Sequence, residues 1–184
     1  GQPSEPAAMD SHSARGNTIF CTFVTVLGTM GTLNHLTTFL PRFATSSTGG
    51  IKLNKVHDLT VNTYVEMDQS TMSFDINHDL TSEFNWNMNQ LFVYVVASYN
   101  STANRRNEVT VWDRIVTNRE EAKLSAKQLM IKYPMRDQYK ELRGADVDLE
   151  VRYRTMPIIG VMHTKELPPT RFTLPKEYFR DPNA

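Results

Sequence analysis

No Asp, Glu, Lys or Arg occurs between Arg15 and Arg42. A charge-free interval of that length restricts what the chain can fold into more than any other feature. As an α-helix it spans about 39 Å, longer than the ~30 Å hydrocarbon core of a bilayer. Residues 18–41 are expected to form a transmembrane helix, with Ile19 to Leu40 as the membrane anchor. The segment is polar for such a role, with six threonines, Asn34 and His35. A threonine hydroxyl bonds back to its own helix, which lowers its cost in lipid. Asn34 and His35 require an interfacial position or a partner helix. Gly28 and Gly31 leave room for a close helix neighbour. A cleaved signal peptide is the competing reading, with Ala44-Thr45-Ser46 as small residues at a cleavage site. The apolar run exceeds the ~7–15 residues of such peptides, so an uncleaved anchor is preferred. Residues 1–17 then form a short tail, in which Gly1–Ala8 is read as an extension ahead of a native start at Met9.

Beyond Arg42 the pattern changes. Residues 42–50, including Ala44-Thr45-Ser46-Ser47-Thr48-Gly49-Gly50, read as a flexible linker. From residue 51 to 184, alternation with period two dominates. Ile51, Leu53 and Val56 open a strand that Leu59, Val61 and Thr63 continue. Phe74, Ile76, His78 and Leu80 alternate with Asp75, Asn77 and Asp79, as in a half-buried antiparallel strand. Leu91–Ala97 is apolar on both faces, as a central strand is. Val109, Val111 and Asp113 face one way, and Thr110, Trp112 and Arg114 the other. Val147, Leu149, Val151 and Tyr153 alternate with charged residues, and Ile158–Met162 and Phe172–Leu174 close the set. Residues 120–133 allow two assignments. Asn118 and Glu121 form a capping box for a helix, whereas Leu129–Tyr133 also reads as a strand; a short helix or turn leading into a strand is expected. Seven or eight strands imply a mainly β fold, an antiparallel β-sandwich behind a single N-terminal helix.

Chemistry-bearing patterns are few. Formal net charge is zero, and without a basic run nothing favours nucleic acid. Cys21 is the only cysteine, so no internal disulfide forms. The five histidines, His12, His35, His57, His78 and His163, lack metal-ligand spacing. His57-Asp58 and His78-Asp79 are adjacent on strands, so each pair points to opposite faces; these are expected to be surface polar residues. No nucleophile elbow or phosphate-cradling glycine loop occurs. Neither catalytic residues, nor a metal site, nor a cofactor is expected.

The stretch from Phe84 to Val116 holds both tryptophans. It reads Phe84-Asn85-Trp86-Asn87-Met88-Asn89-Gln90-Leu91-Phe92 entering one strand, then Val109-Thr110-Val111-Trp112-Asp113-Arg114-Ile115-Val116 in another. This wording resembles subunit 3 of the eukaryotic signal peptidase complex, its glycoprotein accessory subunit; Asn89 and Arg114 stand where many relatives have lysine. Arg154–Gly160 and Phe172-Thr173-Leu174-Pro175 with Tyr178 extend the similarity over Met9 to about Phe179. The resemblance implies a single-pass type II protein of the endoplasmic reticulum membrane with its β domain in the lumen. Lys/Arg counting leans the other way, with Arg15 upstream against Arg42, Lys52 and Lys55 downstream. In that family the catalytic serine belongs to a separate subunit. The implied role is to scaffold the catalytic subunit beside the small multi-span subunits, within the lipid bilayer. Phe84, Trp86, Trp112, Asp113 and Arg114 are packing or interface candidates, with packing first for the tryptophans. A generic membrane-anchored or secreted β-sandwich used in adhesion or chaperoning is the alternative, and a hydrolase with an unrecognised site is a third.

Asn100-Ser101-Thr102 is the only Asn-x-Ser/Thr sequon. It follows a strand, where an exposed loop is expected. Many relatives carry theirs before the late strand, where this chain has Gly144–Asp148 and no acceptor. Endoglycosidase treatment of the native protein is expected to shift its electrophoretic mobility; unchanged mobility counts against modification of Asn100.

Overall fold

A computed structural model of the chain describes residues 11–37, 49–62, 64 and 66–179. Two units are distinct, an N-terminal helix and a β domain. The helix, α1, covers His12–Thr37 and is long and apolar enough to cross a membrane. Ser11 caps it, its Oγ accepting the Ala14 N–H at 3.3 Å, which satisfies one of the unpaired donors of the first turn. The threonines behave as their chemistry predicts. Thr18, Thr25, Thr29 and Thr32 each donate to the carbonyl four residues earlier, at 2.8–3.0 Å. The helix starts ahead of the expected span, taking in His12–Asn17 from the expected tail. The carboxyl end of that span, residues 38–41, lies outside the described residues, as do residues 1–10 and most of the expected linker.

Nine strands build the β domain among the described residues: β1 Gly49–Asn62, β2 Met67–Asp79, β3 Met88–Tyr99, β4 Asn107–Val116, β5 Lys123–Met130, β6 Met135–Asp137, β7 Asp146–Pro157, β8 His163–Glu166 and β9 Thr170–Thr173. They form two antiparallel sheets. One has the order β1-β2-β5, with β6 also on β2; the other runs β4-β3-β7-β8, with β9 also on β7. Each sheet thus has an edge made of two short strands in series, β5 and β6 on β2, and β8 and β9 on β7.

The inner faces supply one shared core. Leu59, Met72, Phe74 and Leu80 from one sheet side, and Leu91, Val93, Val95, Leu149 and Val151 from the other, are fully buried. Each such side chain contributes about 1.5–3 kcal/mol of transfer free energy. The mainly β expectation holds, including the central place of β3 and the alternation in β2. The ambiguous 120–133 segment is a one-turn 3-10 helix, Glu120–Ala122, followed by β5. The turn is entered from Arg119 with no side-chain cap bond, so the Asn118–Glu121 capping box does not form.

Three expectations need correction. Ile158–Met162 is not a strand but the loop joining β7 to β8, which pair as Thr155↔His163. Gly49 and Gly50 are not linker; they open β1 opposite His78 and Asn77. Gly49 has a φ of 150°, and a Cβ added there would overlap the Asn77 carbonyl oxygen and lie 2.6 Å from His78 Nδ1. Only glycine fits this entry to the sheet. Finally, His78 is not a surface residue. It continues the inward series of β2 and is 2% exposed, with neither ring nitrogen hydrogen-bonded among the described residues.

Burial holds the His78 pKa below its ordinary 6.5, because the charged imidazolium loses hydration. Above pH 6.5 the ring is neutral in the folded and unfolded chains, and stability does not depend on it. Below that pH the unfolded chain takes up the proton first, so stability falls as the solution is acidified towards the folded-state pKa. Thermal melts of the full chain in detergent should show stability declining as the pH is lowered below about 6.5, and His78→Leu should flatten that decline.

Candidate functional site

The Phe84–Val116 block occupies several different environments. Phe84 is half-buried against the core. Trp112 is 6% exposed. Its ring meets Phe74 edge-on, with centroids 6.2 Å apart at 82°, a favoured aromatic geometry. This contact joins the two sheets. Trp86 is the opposite case, 62% exposed on the connection between β2 and β3, so packing does not account for it. The expected alternation in β4 fails at one point. A bulge lies opposite Val95/Val96, between Trp112 and Thr110; the extra residue lets Val111 and Trp112 both be buried.

Asp113 and Arg114 lie on β4, the edge of its sheet. Lys132 reaches Asp113, donating to its backbone carbonyl at 2.7 Å and its carboxylate at 3.3 Å. The same lysine lies 5.7 Å from the Trp112 ring centroid. Two backbone donors, Lys132 N–H at 2.9 Å and Tyr133 N–H at 3.0 Å, meet the Val111 carbonyl. The segment after β5 therefore covers the middle of the β4 edge. Asp113 is engaged within the domain, while Arg114 and Ile115 are exposed.

Buried polar groups act as pins between elements. Glu83 accepts from the Tyr153 hydroxyl at 2.9 Å and Lys165 Nζ at 2.6 Å. Asp68 accepts from the Tyr178 hydroxyl at 2.7 Å and the Leu142 N–H at 3.2 Å. Asp137 accepts from the Tyr99 hydroxyl at 2.9 Å and the Glu141 N–H at 2.9 Å. Burial, reinforced by the Asp137 hydrogen bond, raises the Tyr99 pKa far above its usual value; burial and Asp68 likewise raise that of Tyr178. These hydroxyls stay protonated and donate. On the outer face of the second sheet, Arg152 pairs bidentately with Glu108 at 3.0 Å and reaches Glu150 at 3.0 Å. Arg171 pairs with Asp148 at 2.7 and 2.9 Å. The Arg152–Glu108 and Arg171–Asp148 pairs tie one strand to another, whereas Arg152–Glu150 lies within β7; exposed ion pairs of this kind contribute little to stability.

One histidine does meet a hydroxyl, His57 Nε2 lying 2.8 Å from Ser73 Oγ. Adjacency in sequence gave no sign of this cross-strand pair. Among the described residues no carboxylate is seen accepting a hydrogen bond from that imidazole, and Ser73 is 2% exposed. His78 and Asp79 diverge as expected for neighbours on a strand. Asp79 accepts the Thr81 hydroxyl and N–H at 2.6 and 2.9 Å, bonds that lower its pKa. Among the described residues no group of three His, Cys, Asp or Glu side chains is placed to hold a metal ion. Asn100 is exposed just after β3. In its sequon Thr102 is bonded to the Glu141 carboxylate through both its N–H and its hydroxyl.

The structure thus defines a two-sheet β domain behind one N-terminal helix of membrane-spanning length and composition. A family model described as "Signal peptidase subunit" matches residues 9–177. Signal peptidase complex subunit 3 of Dictyostelium discoideum is 34% identical over 173 residues, covering 94% of this chain and 99% of the relative. The subunit 3 proteins of Saccharomyces cerevisiae and Homo sapiens are 37% and 34% identical, over 50% and 61% of this chain and 50% and 62% of theirs. The chain belongs to the signal peptidase subunit family.

Within the Trp86-Asn87 pair, Asn87 has a role that the sequence did not disclose. Its side chain is 2% exposed and clasps the backbone of one residue, donating to the Ile159 carbonyl at 2.7 Å and accepting the Ile159 N–H at 3.1 Å. Its own carbonyl accepts the Ile158 N–H at 2.8 Å. This fixes the β7–β8 loop beside Trp86. Asn87→Ala leaves both Ile159 groups without this partner and is expected to lower stability by about 1–3 kcal/mol, measured by thermal or chemical unfolding of the full chain in detergent.

Proposed function

We propose that this chain is a noncatalytic accessory subunit of the endoplasmic reticulum signal peptidase complex, scaffolding the catalytic serine-protease subunit during removal of signal peptides from secretory and membrane proteins. The family match across residues 9–177 is the observation that carries this reading. In it, α1 is an uncleaved signal-anchor, single-pass and type II, and the β domain stands in the lumen with a glycan on Asn100. The partners are the catalytic subunit, the small multi-span subunits and the lipid around α1.

The chemistry of the domain supports a contact role. Its buried carboxylates are occupied by tyrosine hydroxyls, a lysine and backbone N–H groups, which suits rigidity rather than proton transfer. Among the sequence candidates, Phe84 and Trp112 serve packing and Asp113 is held by Lys132. Trp86 and Arg114 are left exposed, and we assign both to the subunit interface, Arg114 beside the exposed Ile115 on β4, since aromatic and arginine side chains suit such contacts. Isolation of the native protein in gentle detergent should bring down a serine-protease subunit and two small multi-span proteins in equal amounts. Recovery of the chain alone would sink the assignment.

A further inference from the structure

A polar trough of about 570 Å³ opens on the outer face of the second sheet, and Asn100 is part of its lining. Strand pairing explains its shape. Glu108, Ser98, Asp148 and Arg171 stand opposite one another across β4, β3, β7 and β9, so their side chains share one face of the sheet. Ser98 is the shortest of the four and is 7% exposed. It forms the floor, its Oγ donating to the Asp148 carbonyl at 3.4 Å, while Asp148 and Arg171 rise beside it. The volume falls within the ~300–1,000 Å³ of small-ligand sites.

The lining restricts what the trough can hold. It carries two arginines, Arg106 and Arg171, and four carboxylates, Asp146, Asp148, Glu150 and Glu166. An excess of acid disfavours an anion. The acids are already engaged, which weakens their pull on a cation. Asp148 accepts from Arg171 at 2.7 and 2.9 Å, and Asp146 from the Thr173 hydroxyl at 2.6 Å. Glu150 and Glu166 lie 3.0 and 3.4 Å from Arg152. Guanidinium groups only donate hydrogen bonds and carboxylates only accept them. A neutral ligand dense in both donors and acceptors matches such a lining, and a sugar chain is one.

We propose that the trough seats the first sugars of a glycan carried on Asn100, held by Arg106, Asp148 and Arg171. The inference rests on the reading of Asn100 as glycosylated. Its occupant is chosen by attachment, because the residue that would bear the sugar lines the trough. A covalent tether supplies a high effective concentration, so weak contacts with hydroxyl and acetamide groups suffice. The attachment point is also fixed on both sides. Tyr99 before it is buried and bonded to Asp137. After it, the Thr102 N–H and hydroxyl are taken by Glu141, and Ser101 Oγ accepts the Asn104 N–H and the Asn107 amide at 3.0 Å. A root held in this way leaves less freedom to lose when the first sugar docks.

The full chain, made in a eukaryotic secretory host and held in detergent, is treated with peptide-N-glycosidase well below its melting temperature. Release of the glycan is expected to be about tenfold slower from the folded parent than from the Arg106→Ala, Arg171→Ala double variant, which loses the hydrogen bonds of the trough. Both arginines are exposed, so the variant should fold; Arg171→Gln alone replaces it if the pair does not. A second measurement is a melting cycle. Removing the glycan should lower the melting temperature of the parent and leave that of the variant nearly unchanged, because the two changes remove the same contact. Equal release rates from parent and variant overturn the proposal, and so does an equal melting shift in both. The denatured parent is treated in parallel. If its mobility shifts while native release is equally fast in parent and variant, only this inference fails. If the denatured parent does not shift, Asn100 carries no glycan and the glycosylation reading fails with it.

Discussion

Everything in the β domain depends on the burial of two apolar faces against each other. Neither sheet is stable alone, because each presents a row of large side chains on one side and polar groups on the other. Phe74 and Trp112 mark where the rows meet, a ring edge from one sheet on a ring from the other. The bulge in β4 serves the same end, adding one residue so that Val111 and Trp112 can both turn inward. Around this core the tyrosine–carboxylate pins tie connections to strands. Glu83, just before β3, is bonded to Tyr153 on β7, and Asp68 on β2 is bonded to Tyr178 near the carboxyl end. The apolar faces supply most of the free energy, and the pins select one arrangement of the segments that cross between sheets.

Much of this was legible in the sequence, and the failures have definite causes. Period two in residues 74–80 identified β2 and also predicted its inward face correctly. Applied consistently, the same alternation places His78 inside; the surface assignment followed residue type instead, and pattern outweighed composition. The Ile158–Met162 run went wrong for the opposite reason. An apolar run reads as a strand whether or not its side chains reach a core, and here they stand exposed on a loop. Gly160 was the available sign of a turn. Gly49 and Gly50 looked like a linker because glycine is common in linkers, yet Gly49 is required where two backbones approach too closely for a Cβ. Strand order was not legible at all, since β5 joins β2 across the whole of β3 and β4.

The functional residues followed the same division. Trp86 and Trp112 have the same chemistry and similar strand-like surroundings in sequence, yet one links the sheets and the other stands in the open. Only the fold separates them. The His57–Ser73 pair shows the complementary limit, because a cross-strand contact between residues 16 apart has no sequence signature. What the sequence did carry was the Phe84–Val116 wording, and family membership rests on similarity over nearly the whole chain.

The partly covered edge of β4 has one more consequence. A strand edge with free backbone donors and acceptors recruits any extended segment, including the same edge of another copy. Here the cover over Val111 closes the middle of that edge, and Arg114 places a cation on the part nearer the end of β4. Two such chains meeting edge to edge would bring like charges together as their strands aligned. An edge that is partly covered and partly charged is in this way made unwelcoming to a second copy of itself.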